Sequence, residues 1–429
     1  MIRARRTVLA TCAAAATAGA LIPWTAHVSA APDGRLRIGY VTTFPGIRLN
    51  RLNLATGRLL RPLRMRRRAN LIAVAPGGTM AYIDNYPIGA AVSAINLTTG
   101  RVLAVVRVEN YVDQIAFSRD GKHAYVAMPN AVAVIDTTRE QVIENLPRPP
   151  TASGGWPERL VVAPRGHTLY VLDQPARTLT EIDTTTNSVR ATLPMSVCRF
   201  APPVSPDGRV MYVPTSQGVV PVNTTTGKPG TLARAGSCGG DLLLAPGGET
   251  LFASAGPGTT GHPSVSRINV TSAGLKVAWT TPCPRSRYPT SMALYGRTLF
   301  VGSSQHPVVR AVNAVSGRLG PLIRTGLRFQ ALDLLRSGRF VFVTNPVVSG
   351  QDGVGVINPV TMRLVRVIRP GGAILNGLVR WPGRPEVLAL IGSRASVLRG
   401  WLLPISGETG RAGPRLVLGG QPEGIVFAG

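Results

Sequence analysis

The stretch FSRDGKHAYVA, residues 117–127, places Arg119, Asp120, Lys122 and His123 within five positions. Alone it reads equally well as an acid/base cluster or as a turn between two strands. Its recurrence decides. An apolar run, a turn with glycine and a second apolar run return as LIAVAPGGTMAYI (71–83), LVVAPRGHTLYVL (160–172), PPVSPDGRVMYVP (202–214) and LLLAPGGETLFAS (242–254). MALYGRTLFVG (292–302) and LDLLRSGRFVFVT (332–344) follow, and LVRWPGRPEVLAL (378–390) is a weaker copy. The turn glycines, from Gly78 to Gly383, stand 40 to 48 residues apart.

Each copy leads into a short strand ending in Asn or Asp and a Thr/Ser-rich turn, as in INLTTG (95–100), IDTTRE (135–140), IDTTTN (182–187) and VNTTTG (222–227). Asn and Asp bond the backbone ahead of them and Gly accepts positive φ, so these are tight turns between strands. Four short antiparallel strands per roughly 43 residues, with no helical periodicity between them, make the blade of a β-propeller. RLRIGYVTT (35–43) matches a second strand that lacks its first, and QPEGIVFAG (421–429) a first strand that lacks its second. Joined, they form a composite blade that closes the ring and removes the exposed sheet edge. The expected fold is all-β: a single propeller of about seven to nine four-stranded blades. Strict counting finds eight units plus the composite, with 374–418 expected to be the irregular unit.

YVTT at Tyr40, YVAM at Tyr125, YVLD at Tyr170 and YVPT at Tyr212, followed by turns of the IDTT/VNTTTG kind, resemble the YVTN family of extracytoplasmic β-propeller repeats. The resemblance runs over the whole mature chain, although FASA, FVGS and FVTN carry Phe for Tyr. It implies a propeller fold. It leaves activity open, because similar proteins serve as surface and binding proteins while related propellers include lactonases and lyases.

The N-terminus reads as an export signal. MIRARR is basic, VLATCAAAATAGALI is apolar, and Val28 and Ala30 suit cleavage before Ala31, giving a signal peptide over 1–30 and a propeller over 31–429. Arg5-Arg6 leaves twin-arginine and ordinary secretion both open. The expected location is outside the cell or at its wall, with no transmembrane segment after cleavage and a monomeric state. The net charge of +27, almost all arginine, draws polyanions, which in that compartment are wall polymers or acidic lipids. The densest run, RLLRPLRMRRR (58–68), lacks the interleaved aromatics of a nucleic-acid groove.

In a blade of strands A to D, the A–B and C–D turns share one face, and the D–A and B–C connections surround the mouth on the other. Asp120 and Asp207 then form turns, and Asp136 and Asp183 alternate with Asn in sister copies, which places all four away from catalysis. The mouth connections offer Glu109, Tyr111, Trp156, Glu158, Arg199, Asp241, His262, Arg287, Tyr288 and His306 as ligand-binding candidates. Aromatics beside arginines and a few carboxylates suit a sugar-like or anionic ligand. No catalytic residue, metal site or cofactor is expected, since HExxH, GxSxG and acidic calcium loops are missing from the sequence. Cys198, Cys238 and Cys283 occupy one repeat position in three consecutive blades. Export favours a disulfide, with Cys238–Cys283 preferred and Cys198–Cys238 second. The function expected is a secreted, non-enzymatic binding protein of the cell envelope that meets an anionic polymer or a protein partner. A propeller lyase or lactonase acting at the mouth is the alternative, and a surface-layer component the third reading.

Overall fold

The structure is a computed structural model that describes residues 28–29, 38–44, 46–65, 71–85, 90–147, 159–198, 201–236, 238, 240–256, 263–283, 289–303, 306–327, 333–344, 353–371, 373–393 and 395–428. The described residues form strands and turns without a helix. Nine antiparallel sheets follow one another along the chain.

Blade 3 shows the pattern. Its strands are A Gln114–Phe117, B His123–Ala127, C Ala131–Asp136 and D Gln141–Pro147, hydrogen-bonded in that order. FSRDGKHAYVA is its A–B hairpin. The burial follows the layers: strands B and C are apolar and almost wholly buried, and D alternates toward solvent. Blade 1 is the composite. Its A strand Gln421–Ala428 pairs antiparallel with its B strand Ile38–Phe44, in the order A-B-C-D with Arg48–Asn53 and Leu59–Arg64. Val28–Ser29, inside the expected signal peptide, adds to the inner side of Gln421–Ala428 in parallel.

Packing closes the ring. Each pair of successive blades shares one apolar cluster, from blades 1 and 2 around Tyr40, Leu49 and Ile83 to blades 8 and 9 around Phe342, Leu375 and Ile405. The ninth cluster, with Val41, Leu52, Trp381, Leu388 and Phe427, joins blade 9 back to blade 1. Nine blades and nine interfaces leave no unpartnered sheet face.

The repeated tyrosine has a physical role. Tyr82, Tyr125 and Tyr170 are fully buried between blades, and each reaches the C–D turn of the next blade with its hydroxyl. Tyr82 donates to Glu140 Oε2 at 2.6 Å, Tyr125 to Asn187 Oδ1 at 2.7 Å and Tyr170 to the Asn223 carbonyl at 3.4 Å. Glu140 and Asn187 stand where sister turns carry Gly100 or Gly227, and both adopt positive φ, 54° and 55°. That conformation costs a non-glycine residue about 1 kcal/mol. The bond from the buried tyrosine offsets a cost of that size.

The irregular unit is not 374–418, which forms a regular four-stranded blade 9: Ala373–Arg380, Glu386–Ser393, Gly400–Ser406 and Leu416–Leu418. Blade 5 is the irregular one. Only Val210–Thr215 and Gly218–Asn223 are full strands, flanked by single bridges at Val204 and at Pro229 and Ala233. The cause is proline. Pro202, Pro203, Pro206, Pro221 and Pro229 offer no N–H to the ladder.

The disulfide brackets this blade. Cys198, before its first strand in sequence, is bonded to Cys238, after its last, and the two meet with Cα atoms 4.9 Å apart. The preferred pairing Cys238–Cys283 is therefore corrected to the second choice. Cys283 is instead a buried free thiol in the core shared by blades 6 and 7, where burial pushes its pKa up to about 11.

Candidate functional site

The turns of the A–B and C–D face behave as structural punctuation. In blade 3, Asp120 accepts from the Ser118 hydroxyl at 2.6 Å and from the Lys122 N–H at 3.1 Å, and Thr137 donates across to the Gly121 carbonyl. The Ser118 bond holds the Asp120 carboxyl below its usual range, and the Arg139 and Thr138 N–H groups do the same for Asp136. Both are ionised turn formers. His123 is half-buried between blades 3 and 4, with Nε2 3.2 Å from Asn187 Nδ2. His167 is exposed. An open hollow of about 630 Å³ lies on this face between the A–B turns of blades 3, 4 and 5, lined by Arg119, Arg165, Pro206 and Asp207.

At the mouth, the B strands end in buried polar side chains: Asp84, Asp173, Thr215, Ser254, Ser303, Thr344 and Ser393. Most of them fasten loops. Asp84 Oδ1 accepts from the Leu71 N–H at 2.6 Å, Asp173 Oδ1 from the Ala176 N–H at 2.9 Å, and the Ser254 hydroxyl from the Asp241 N–H at 2.7 Å. The inner strands are tied blade to blade by side chains. Gln114 makes two bonds to the backbone of Leu160 (2.7 and 3.2 Å), Asp241 Oδ2 accepts from the Met292 N–H at 2.9 Å, and Asn376 donates to the Pro422 carbonyl at 2.8 Å.

Of the sequence candidates, Asp241 thus joins blade 6 to blade 7. Glu109 is exposed and accepts from Asn145 on the outer strand of blade 3 at 2.7 Å, away from the ring axis. Tyr111 is 53% exposed. His306 is exposed in the B–C turn of blade 7, its N–H 3.3 Å from the Ser303 hydroxyl. Trp156, Glu158, Arg199, His262, Arg287 and Tyr288 lie outside the described residues.

One titratable group of the inner wall was missed in the sequence. Glu423, on the A strand of blade 1, is half-buried, and its Oε2, itself out of solvent, has no hydrogen-bond partner among the described residues. Burial pushes its carboxyl up to about 7, and the nearby Asp84 of blade 2 adds to the shift. Such a group can take up or release a proton near neutrality. A signal for it exists in the sequence: aligned inner strands begin with carboxylates at Asp113, Glu158, Asp241, Asp333 and Glu423, in a protein with 20 acidic and 47 basic residues. Among the described residues, no three His, Cys, Asp or Glu side chains gather to hold a metal ion. No helix there is long and apolar enough to cross a membrane.

No family model matches the chain, and no curated protein is significantly similar to it. Solved structures do resemble it. The dihydro-heme d1 dehydrogenase NirN in complex with DHE superposes with a TM-score of 0.59 at 15% identity, over 91% of this chain and 75% of that one. A eukaryotic initiation factor gives 0.59 at 10% identity, over 92% and 98% of the two chains. BamB from Moraxella catarrhalis gives 0.53 at 14% identity, over 74% and 90%. These likenesses establish the propeller fold. At such identities they carry nothing about activity.

Proposed function

We propose that the chain is a secreted, non-enzymatic β-propeller of the cell envelope, of the YVTN kind, that binds an anionic polymer. The net charge of +27, of which Arg3, Arg5 and Arg6 leave with the leader so that the ring itself keeps +24, carries this reading. A surface of that sign, exported by the leader over 1–30, meets wall polymers before other ligands. The candidate Asp241, together with Asp84 and Gln114 elsewhere on the inner strands and at the mouth, supports a structural use of these positions, since all three spend polar atoms on neighbouring backbone. Fractionation of producing cells tests the proposal. The protein is expected in the envelope fraction with Ala31 at its N-terminus and to be released by high salt; recovery in the cytoplasm would sink the reading.

A second reading is favoured by one observation. Glu423 beside Asp84 on the inner wall provides a carboxyl that titrates near neutrality, as a lyase or lactonase acting at the mouth would use. Turnover of a lactone or an acidic sugar that Glu423→Gln abolishes would establish it.

A further inference from the structure

The outer strands of the propeller differ between two arcs of the ring at one equivalent position. The last residue of strand D, paired with the first residue of strand C, is Arg64 in blade 1, Arg107 in blade 2 and Arg324 in blade 7. At the same register, blades 3, 4 and 6 carry Pro147, Pro194 and Pro282. All six are exposed. Blade 8 adds Arg363 and Arg366 on its D strand and blade 1 adds Arg61, also exposed. Blades 8 and 9 carry Ile368 and Leu418 at the shared register, so across blades 7, 8, 9, 1 and 2, neighbours in the closed ring, every D strand but that of blade 9 holds arginine, and none holds a carboxylate. Blades 3, 4 and 6 hold Glu144, Lys276 and Arg190, the last ion-paired with Asp183.

Protection of the sheet edge does not account for this. The C–D ladder of seven blades carries a register shift: blades 1, 2, 7 and 8 in one arc, and blades 3, 4 and 6 in the other. A bulge blunts an edge strand by itself, and so does proline at its end. Both arcs have the bulge. Only one has arginine at the end of the D strand.

The geometry points to the outer arc of blades 7 to 2 as the docking surface for a linear phosphodiester polymer that runs along the rim past Arg324 of blade 7, Arg363 and Arg366 of blade 8, Arg64 of blade 1 and Arg107 of blade 2. This rests on the anionic-polymer reading above and moves its site from the mouth to the rim. Three features fit the ligand. The guanidinium fork matches phosphate oxygens in a bidentate way. Four of the five D strands along this arc offer at least one exposed arginine, so a chain running along the rim meets a charge on blades 7, 8, 1 and 2 and passes the short D strand of blade 9 without one. The absence of carboxylates on these strands removes the repulsion that such a chain meets on blade 3.

The test measures binding of the full mature chain to fluorescent poly(glycerol phosphate) across a salt series. The triple variant R64S/R107S/R324S is compared with R119S/R209S/R297S, which removes the same charge from exposed A–B turns. The rim variant is expected to bind at least tenfold more weakly, with the slope of log affinity against log salt reduced by about 2, roughly 0.7 per phosphate contact. The turn variant is expected to keep wild-type binding. Equal losses in both variants would overturn the rim site while leaving polymer binding intact. No binding by the wild type would instead overturn the polymer reading itself. Equal affinity for polyglutamate would overturn the assignment to phosphate. Unchanged melting of both variants verifies that they fold.

Discussion

Two arcs of the ring share one backbone pattern and differ in what holds and coats it. Blades 7 to 2 keep all four strands, and their outer strands carry arginine in every blade but the ninth. Blades 3 to 6 end their outer strands in proline where these are regular, and contain the proline-thinned blade 5, whose two chain ends a disulfide joins. A repeat architecture tolerates such divergence because each blade touches only its neighbours. The lesson is that the repeat supplies the ring, and the departures from the repeat supply the specialisation.

The largest effect is expected in blade 5. Cys198 and Cys238 are 40 residues apart, and opening a cross-link of that span costs about 4 kcal/mol. Cys198→Ser should lower unfolding stability by about that amount in denaturant titrations. Hydrogen exchange should quicken first in residues 201–236. Uniform loosening of all nine blades would remove the contrast between the arcs.

Next comes Glu423. Its folded carboxyl holds a proton up to about 7, while the unfolded chain releases it near the ordinary value of 4.5. The folded state therefore binds more protons in this window, so the stability is present below it and is lost as pH rises through it. A shift of this size corresponds to on the order of 3 kcal/mol. Glu423→Gln should flatten the decline between about pH 4.5 and 7; an unchanged decline would place its cause elsewhere.

A smaller effect belongs to the tyrosine ties. Tyr125→Phe should cost about 1 kcal/mol, because it strands the buried Asn187 side chain without its donor. Asn187→Gly should be nearly neutral, since the lost bond of about 1 kcal/mol is offset by relief of a positive φ of similar cost. A large loss in the glycine variant would contradict this balance. Smallest of all, R64S/R107S/R324S should change stability by no more than about 0.5 kcal/mol, because these side chains are exposed.

Much of the fold was legible in the sequence because propeller turns demand particular residues. Glycines at A–B turns marked blades 2 to 9, Asn or Asp before C–D turns marked blades 1 to 8, and the split strands at 35–43 and 421–429 marked the closure. Blade 5 was misjudged since PPVSPDGRVMYVP keeps the turn and the apolar run, while the N–H groups missing at Pro202, Pro203 and Pro206 reduce the inner edge to single bridges and Pro229 does the same at the outer edge. The weak-looking 374–418 is regular because its long strands Ala373–Arg380 and Glu386–Ser393 compensate for a degenerate motif. The cysteine pairing was undetermined by spacing, as all three occupy one repeat position and only packing distinguishes Cys283. The site was less legible. Glu423 and the rim arginines are recognised by comparing equivalent positions around a closed ring, which requires the strand register as well as the repeat.

The measurement that tests the central claim most directly is co-sedimentation of the purified mature chain with isolated cell envelopes across a salt series. Envelope binding through phosphate contacts predicts that log affinity falls linearly with log salt. Binding that is absent at low salt, or present and indifferent to salt, would contradict it.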